Sequence, residues 1–83
     1  MVKSEFLYIL KNIFEEELST SVTMDDLQKN NLLEQLKIDS LEALNLIISI
    51  EKTFSIEIED DDLALKMINC PDVLFNFINS RQL

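Results

Sequence analysis

The segment DSLEALNLIISIEKTF, residues 39–54, is nearly all apolar for three turns and gives the strongest structural signal in the chain. Its leucines and isoleucines recur at three- and four-residue spacing, which predicts a helix from about Leu41 to Phe54. Asp39 followed by Glu42 resembles a capping box and places Ser40 in the first turn. The predicted inner face consists of Leu41, Leu44, Ile47, Ile48 and Phe54, with Leu46 and Ile50 widening the stripe.

Upstream of this segment, a second amphipathic pattern predicts a helix from Ser4 to Leu18. Its apolar positions lie on one side, and Glu15, Glu16 and Glu17 face water. Ser4 is predicted as the N-cap, and Glu5 suits the positive end of the helix dipole. The inner positions are Phe6, Ile9, Leu10, Ile13, Phe14 and Leu18.

Residues 19–38 lose this periodicity, which predicts a long loop between the two helices. Irregularly spaced leucines are expected to anchor the loop to the rest of the protein; they are Leu27, Leu32, Leu33 and Leu36. The chain contains no glycine. Asn30 and Asn31 are therefore predicted to take positive φ where the loop reverses, because asparagine tolerates that region better than other residues.

Beyond Phe54, the segment Ser55–Ile58 is too short to form a strand by itself. Asp60, Asp61 and Asp62 then open a short helix through Ile68, and Pro71 suits the first position of another. Its inward residues are Val73, Leu74, Phe77 and Ile78. The sequence predicts an all-α fold: a small four-helix bundle with a long loop between the first and second helices and a short third helix, in a single domain covering residues 1–83.

The charge of the chain limits its partners. Acidic residues outnumber basic ones 16 to 7, giving a formal charge of −9. Such a surface repels nucleic acid and anionic lipid and favours partners with basic patches. No apolar run approaches the length of a membrane span, and neither a signal nor a transit pattern begins the chain, so we expect a cytoplasmic protein. We also expect a monomer.

The chain has no histidine, and Cys70 is its one cysteine. An internal disulfide and the usual zinc sites are excluded, and a Ser-His-Asp relay cannot form. Residues Asp60, Asp61 and Asp62 lack the ligand spacing of a calcium loop, so no metal site is predicted. Cys70 is interpreted as a small packing residue. The composition therefore argues against an enzyme.

The run Leu36-Lys37-Ile38-Asp39-Ser40-Leu41 leads into the predicted central helix, and Glu51, Phe54, Ile56, Ile58 and an acidic run follow. This arrangement resembles the acyl carrier protein family, whose attachment motif is Asp-Ser-Leu. The resemblance covers nearly the whole chain. It implies that a phosphopantetheinyl transferase moves 4′-phosphopantetheine from coenzyme A onto Ser40, leaving a thiol that carries acyl groups as thioesters.

The resemblance also implies roles for other residues. Asp39 would assist recognition by the transferase, and Leu41 would contact partner enzymes beside the arm. Acyl-loading and acyl-processing enzymes of fatty acid, polyketide or related biosynthesis would dock, through basic patches, on Glu42, Ile48, Glu51, Glu57 and Asp60. The helices would part to shelter an acyl chain among Leu44, Ile47, Ile50, Ile58, Ile68 and Leu74.

Some positions depart from the family pattern. Lys37 stands where glycine is common and Glu59 where proline is common, while Asn45 and Lys52 replace expected carboxylates on the central helix. These changes favour a specialised pathway over general fatty acid synthesis.

Alternatives stay open at the level of the sequence. Ser40 is also a plausible cap residue, and the apolar stripe of the central helix is also a plausible core. The chain could be a peptidyl or D-alanyl carrier, or a helical interaction module without a prosthetic group. A serine hydrolase is opposed by the lack of histidine and of the glycines that a nucleophile elbow needs.

Overall fold

The computed structural model describes residues 1–81, and their regular secondary structure is entirely helical. This confirms the predicted all-α fold. Within residues 1–81, four helices are longer than a single turn, and the third of these is the shortest, as predicted. The predicted long loop differs in one respect, since it contains two single turns of helix. In chain order the helices are α1 (Lys3–Leu18), α2 (Met24–Leu27), α3 (Leu32–Gln35), α4 (Ser40–Phe54), α5 (Asp61–Asn69) and α6 (Pro71–Arg81).

The start of α1 differs from the prediction. Val2 occupies the N-cap position, with no side-chain cap, and Ser4 already lies inside the helix. The Phe6 N–H bonds to the Val2 carbonyl oxygen at 3.1 Å. Phe6 is fully buried, so packing of the apolar side sets where this helix begins, and a polar cap does not. A salt bridge from Lys3 to Asp72 joins the first turns of α1 and α6.

The core lies where α1, α4, α5 and α6 meet. Two aromatic contacts run through it, from the Phe6 ring to the rings of Phe54 and Phe75, with centroid distances of 5.8 and 5.1 Å. Leu27 and Leu32 are buried and hold the long connection against the bundle, as the sequence predicted. The other completely or almost completely buried side chains include Leu10, Phe14, Val22, Leu46, Ile50, Met67, Ile68, Leu74 and Ile78.

The inner face of α4 is only partly the predicted one, since Leu46, Ile50 and Phe54 of the predicted stripe are buried but its other members are not. Ala43, Leu46, Ile50 and Phe54 are buried, whereas Leu41, Leu44 and Ile48 are exposed and Ile47 is partly buried. The helix is apolar on so many sides that periodicity alone could not choose between two faces. Packing against α1 and α5 chooses, and it leaves three large apolar side chains in water.

The prediction of positive φ at Asn30 and Asn31 is wrong. Positive φ occurs instead at Ser19, Lys37 and Ser55. Each of the three follows a helix directly or by one residue. Closing a helix with a residue in the left-handed region satisfies its last carbonyl groups. In a chain without glycine the helix ends impose this conformation on whichever residue stands there. Asn31 instead precedes α3, with φ of −144°.

The last two helices follow the prediction. The Asp60 side chain accepts the Leu63 N–H at 3.1 Å and caps α5, which ends one residue beyond the predicted Ile68. Pro71 is the first residue of α6. Leu74 and Ile78 are buried, and Val73 and Phe77 are partly buried against the core.

Three side-chain acceptors fasten the connecting segments to the helices. Glu15 accepts the Val22 N–H at 3.0 Å, Glu51 accepts the Ile58 N–H at 2.8 Å, and Asn69 accepts the Leu33 N–H at 3.0 Å. Residues 1–81 contain no helix that is both long and apolar enough to cross a membrane.

Candidate attachment site at the start of α4

The approach to Ser40 is a tightly closed turn. The Ile38 N–H bonds to the Leu33 carbonyl at 2.9 Å, and the Lys37 N–H bonds to the Glu34 carbonyl at 3.2 Å. With Lys37 at φ of 53°, this is the hydrogen-bond pattern of a Schellman motif at the end of α3. The position where carrier proteins commonly have glycine is therefore the left-handed position of this turn, and here a lysine occupies it.

Asp39 and Glu42 form the predicted capping box. The Glu42 N–H donates to Asp39 Oδ1 at 2.8 Å, and the Asp39 N–H donates to Glu42 Oε1 at 3.1 Å. The Asp39 backbone is extended, so the chain turns sharply into the helix at Ser40. Two backbone donors that the helix start would leave free are satisfied, and the direction of the first turn is fixed.

Ser40 is the first residue of α4 and is exposed. Among residues 1–81, no hydrogen bond engages its hydroxyl group. A hydroxyl in this position is open to an external enzyme. The positive end of the helix dipole favours an anionic group there by about 0.3–1 kcal/mol.

A shallow groove of about 290 Å³ lies beside Ser40. Ala43, Leu44 and Ile47 form its α4 side, and Asp61 and Leu65 of α5 form the other. Leu44 and Ile47 are among the residues predicted for an acyl pocket, whereas Ala43, Asp61 and Leu65 are not. Their proximity to Ser40 depends on the packing of α5 against α4, which no local pattern in the sequence reveals.

The other residues predicted for an acyl pocket lie elsewhere. Ile50, Ile68 and Leu74 are at most 2% exposed and belong to the closed core. Ile58 is partly buried against that core. Four of the six predicted residues therefore do not line the groove in this structure.

Three of the predicted docking carboxylates have structural contacts as well. Glu42 belongs to the capping box, Glu51 accepts the Ile58 N–H, and Asp60 caps α5. Glu57 is exposed without such a contact among residues 1–81, and Ile48 is 40% exposed. The neighbouring Glu59, Asp61 and Asp62 are exposed too, which makes residues 57–62 the most acidic stretch of the surface near α4.

The outward side of α4 is apolar. Leu41 is 67% exposed, Leu44 52% and Ile48 40%, and Asn45 and Lys52 are exposed on the same helix. Helical periodicity predicted that Leu41, Leu44 and Ile48 lie in the core. The family resemblance, in contrast, implied that Leu41 and Ile48 contact partner proteins. The first turns of α4 therefore expose large apolar side chains, and exposed apolar patches on a protein surface often mark interaction sites.

Comparison with known proteins gives one consistent result. Residues 8–73 match the family model described as "Phosphopantetheine attachment site". An acyl carrier protein of Thermosynechococcus vestitus is 35% identical over 81 residues, which cover 98% of this chain and 96% of that protein. No solved structure gives a significant match.

Two further relatives agree. An acyl carrier protein of Desulforapulum autotrophicum is 38% identical over 65 residues, covering 78% of this chain and 83% of that protein. One of Campylobacter lari is 32% identical over 73 residues, covering 88% and 91%. With an exposed serine after a capping aspartate and these matches over most of its length, the chain belongs to the acyl carrier protein family, whose members are carriers and not enzymes and hold 4′-phosphopantetheine covalently.

Proposed function

We propose that Ser40 is the residue that takes 4′-phosphopantetheine, in a single carrier domain covering residues 1–83. One observation supports this above all others: the Ser40 hydroxyl is exposed and has no hydrogen-bond partner among residues 1–81, at the first position of a helix capped by Asp39. When bound, the group supplies a thiol that carries acyl intermediates as thioesters between enzymes of fatty acid, polyketide or related biosynthesis.

The residues around Ser40 have separate tasks. Asp39 and Glu42 hold the first turn of α4 rigid, so a phosphopantetheinyl transferase meets the hydroxyl in one orientation. The backbone N–H groups of that turn favour the charge of the phosphodiester. Leu44 and Ile47 provide the entrance for an acyl chain, and Ile50, Ile58, Ile68 and Leu74 line the space that opens when the helices part.

Partner enzymes dock on two adjoining surfaces. Leu41 and Ile48 supply apolar contact on α4, where Glu42 and Glu51 add negative charge, and Glu57 and Asp60 supply negative charge on the following segment. Such a charged rim speeds association more than it strengthens binding, and salt weakens it. This combination suits a carrier that binds many enzymes briefly, as a monomer, in the cytoplasm.

The docking surface supports a specialised pathway. Asn45 and Lys52 are exposed on α4 at positions where carriers of general fatty acid synthesis are expected to have carboxylates. Enzymes with a strongly basic face therefore have less to attract them on this helix. In reconstitution with primary fatty acid synthase enzymes, we expect slower turnover than with an ordinary carrier, and equal turnover would contradict the specialisation.

The attachment itself is tested by intact mass. After co-expression with a broad-specificity phosphopantetheinyl transferase, we expect the wild-type chain to gain one phosphopantetheinyl group and Ser40→Ala to gain none. Ser4→Ala is the matched control, because Ser4 is also exposed in the first turn of a helix. A wild-type chain that gains no mass would instead support an interaction module without a prosthetic group. Mass spectrometry of the native thioester then distinguishes acyl, peptidyl and D-alanyl cargo.

A further inference from the structure

The N-terminus of α3 is capped by a residue from another helix. α3 has only four residues, and Asn31, at its N-cap position, makes no side-chain cap. The Leu33 N–H, one of the donors that a helix start leaves free, bonds instead to Asn69 Oδ1 at 3.0 Å. Asn69 is the last residue of α5 and stands 36 positions further along the chain.

A second contact from the same place supports this anchor. Cys70, next to Asn69, places its thiol 3.4 Å from Asn30 Oδ1. The end of α5 thus holds the connecting segment at two points, Asn30 and Leu33. A single turn of helix is not stable by itself, so these contacts, together with the buried Leu32, decide where α3 lies.

Leu33 connects this anchor to the backbone just before Ser40. Its N–H is held by Asn69, and its carbonyl oxygen accepts the Ile38 N–H at 2.9 Å. Ile38 directly precedes the capping residue Asp39. The chain of bonds from Asn69 through Leu33 to Ile38 therefore fixes the backbone that presents Asp39 and Ser40.

We propose that Asn69 is a positioning residue for the attachment reaction, acting through Leu33 and Ile38 on the orientation of Ser40. This inference rests on the proposed attachment at Ser40. The docking surfaces proposed above do not include Asn69, so we expect loss of the anchor to leave binding of the carrier nearly intact. It lowers the fraction of encounters in which the hydroxyl is correctly oriented, and small misplacements of a reacting group are known to have large effects on rate.

The test is steady-state kinetics of a broad-specificity phosphopantetheinyl transferase with coenzyme A and the apo form of each variant. For Asn69→Leu, which removes the acceptor at similar size, we expect kcat to fall about tenfold while the KM for the carrier changes less than about twofold. Asn69→Asp keeps an acceptor oxygen and is expected to restore most of the rate. Hydrogen exchange at the Leu33 amide should accelerate in Asn69→Leu and not in Asn69→Asp.

Glu15→Met is the matched control, because it removes the same kind of anchor, the bond to the Val22 N–H, from the beginning of the same connection. Its kcat is expected to equal that of the wild type. Circular dichroism checks folding first, and Asn69→Ala replaces Asn69→Leu if the latter does not fold.

Three results would overturn the inference: an unchanged kcat in the variant without the acceptor, a loss in Asn69→Asp as large as in Asn69→Leu, or an equal loss in Glu15→Met. The proposed attachment site is judged separately. It fails if Ser40→Ala still gains the group, whereas a normal loss in Ser40→Ala with unaffected Asn69 variants contradicts only the role of Asn69.

Discussion

Asp39 and Glu42 each accept the backbone N–H of the other, at 3.1 Å for the Asp39 N–H and 2.8 Å for the Glu42 N–H. This reciprocal pair surrounds Ser40 and Leu41, so the proposed attachment residue lies inside the cap that starts α4. The Asp39 carboxylate therefore supports the start of α4, and the family resemblance implies a second role for it in recognition by the transferase.

Asp39 variants separate these two roles. We expect Asp39→Ala to lower the free energy of unfolding by about 1 kcal/mol, because the cap is lost, and Asp39→Asn to change it little, since asparagine caps equally well. If the transferase recognises the negative charge, both variants are modified slowly. Chemical denaturation and transferase kinetics measure the two effects.

The control for Asp39→Ala is Thr23→Ala, which removes the corresponding capping box of α2. It should lower stability without slowing modification of Ser40. Rapid modification of Asp39→Asn would contradict a role for the charge in recognition.

Two leucines of α4 test which side of this helix faces the core. Leu46 is fully buried and Leu44 is 52% exposed. We expect Leu46→Ala to lower the free energy of unfolding by about 2–5 kcal/mol and Leu44→Ala to change it by less than about 0.5 kcal/mol. Equal losses in thermal or urea denaturation would contradict the orientation of α4.

Lys37 tests the turn before Ser40. A non-glycine residue at positive φ costs about 1–2 kcal/mol, which a glycine at that position would not pay. Part of this gain in stability is lost again, because glycine has more conformational freedom in the unfolded chain. Lys37→Gly is therefore expected to raise the free energy of unfolding by up to about 1 kcal/mol. Lys29→Gly, at an exposed lysine of the same connection without positive φ, should lower it. A loss of stability in Lys37→Gly would contradict the left-handed turn.

Glu15 gives the chain a specific acid sensitivity. The hydrogen bond from the Val22 N–H, with further help from Lys11, holds the pKa of the Glu15 carboxyl below its ordinary value of 4.5. A lowered pKa in the folded state stabilises the fold above the unfolded pKa, and this contribution disappears as pH falls through the folded value. The difference in stability between wild type and Glu15→Gln should therefore be full near pH 7 and shrink below about pH 4.5.

Urea denaturation across this pH range measures that difference. Glu16→Gln, at an exposed neighbour on the same helix, is the control for the loss of one negative charge. A difference for Glu15→Gln that stays constant with pH would contradict the bond to Val22.

Local patterns were sufficient for several features. The four longer helices, the capping box at Asp39, the start of α5 at the acidic run 60–62 and the start of α6 at Pro71 all depend on residues within one or two turns of each other. The position of Ser40 at the start of α4 also depends only on neighbouring residues. Short-range hydrogen bonds and apolar periodicity determine such features, so the sequence shows them directly.

Features that depend on distant packing could not be predicted in this way. α4 has apolar residues on nearly every side, and α1 and α5 decide that Leu46 is buried and Leu44 exposed. The single turns α2 and α3 are too short to give a periodic signal. Positive φ occurs at helix ends and not at the asparagines, because closing a helix outweighs the small preference of asparagine.

The sequence by itself determined the helical class of the chain, its acidic character and the capped serine at residue 40. Only the tertiary structure decided which side of α4 meets water, that Leu65 joins Leu44 in a groove beside Ser40, and that Asn69 caps α3. The physical reason is the range of the interactions involved. Caps and periodicity act within a few residues, whereas a helix face, a groove or a cap from another helix exists only when distant segments pack together.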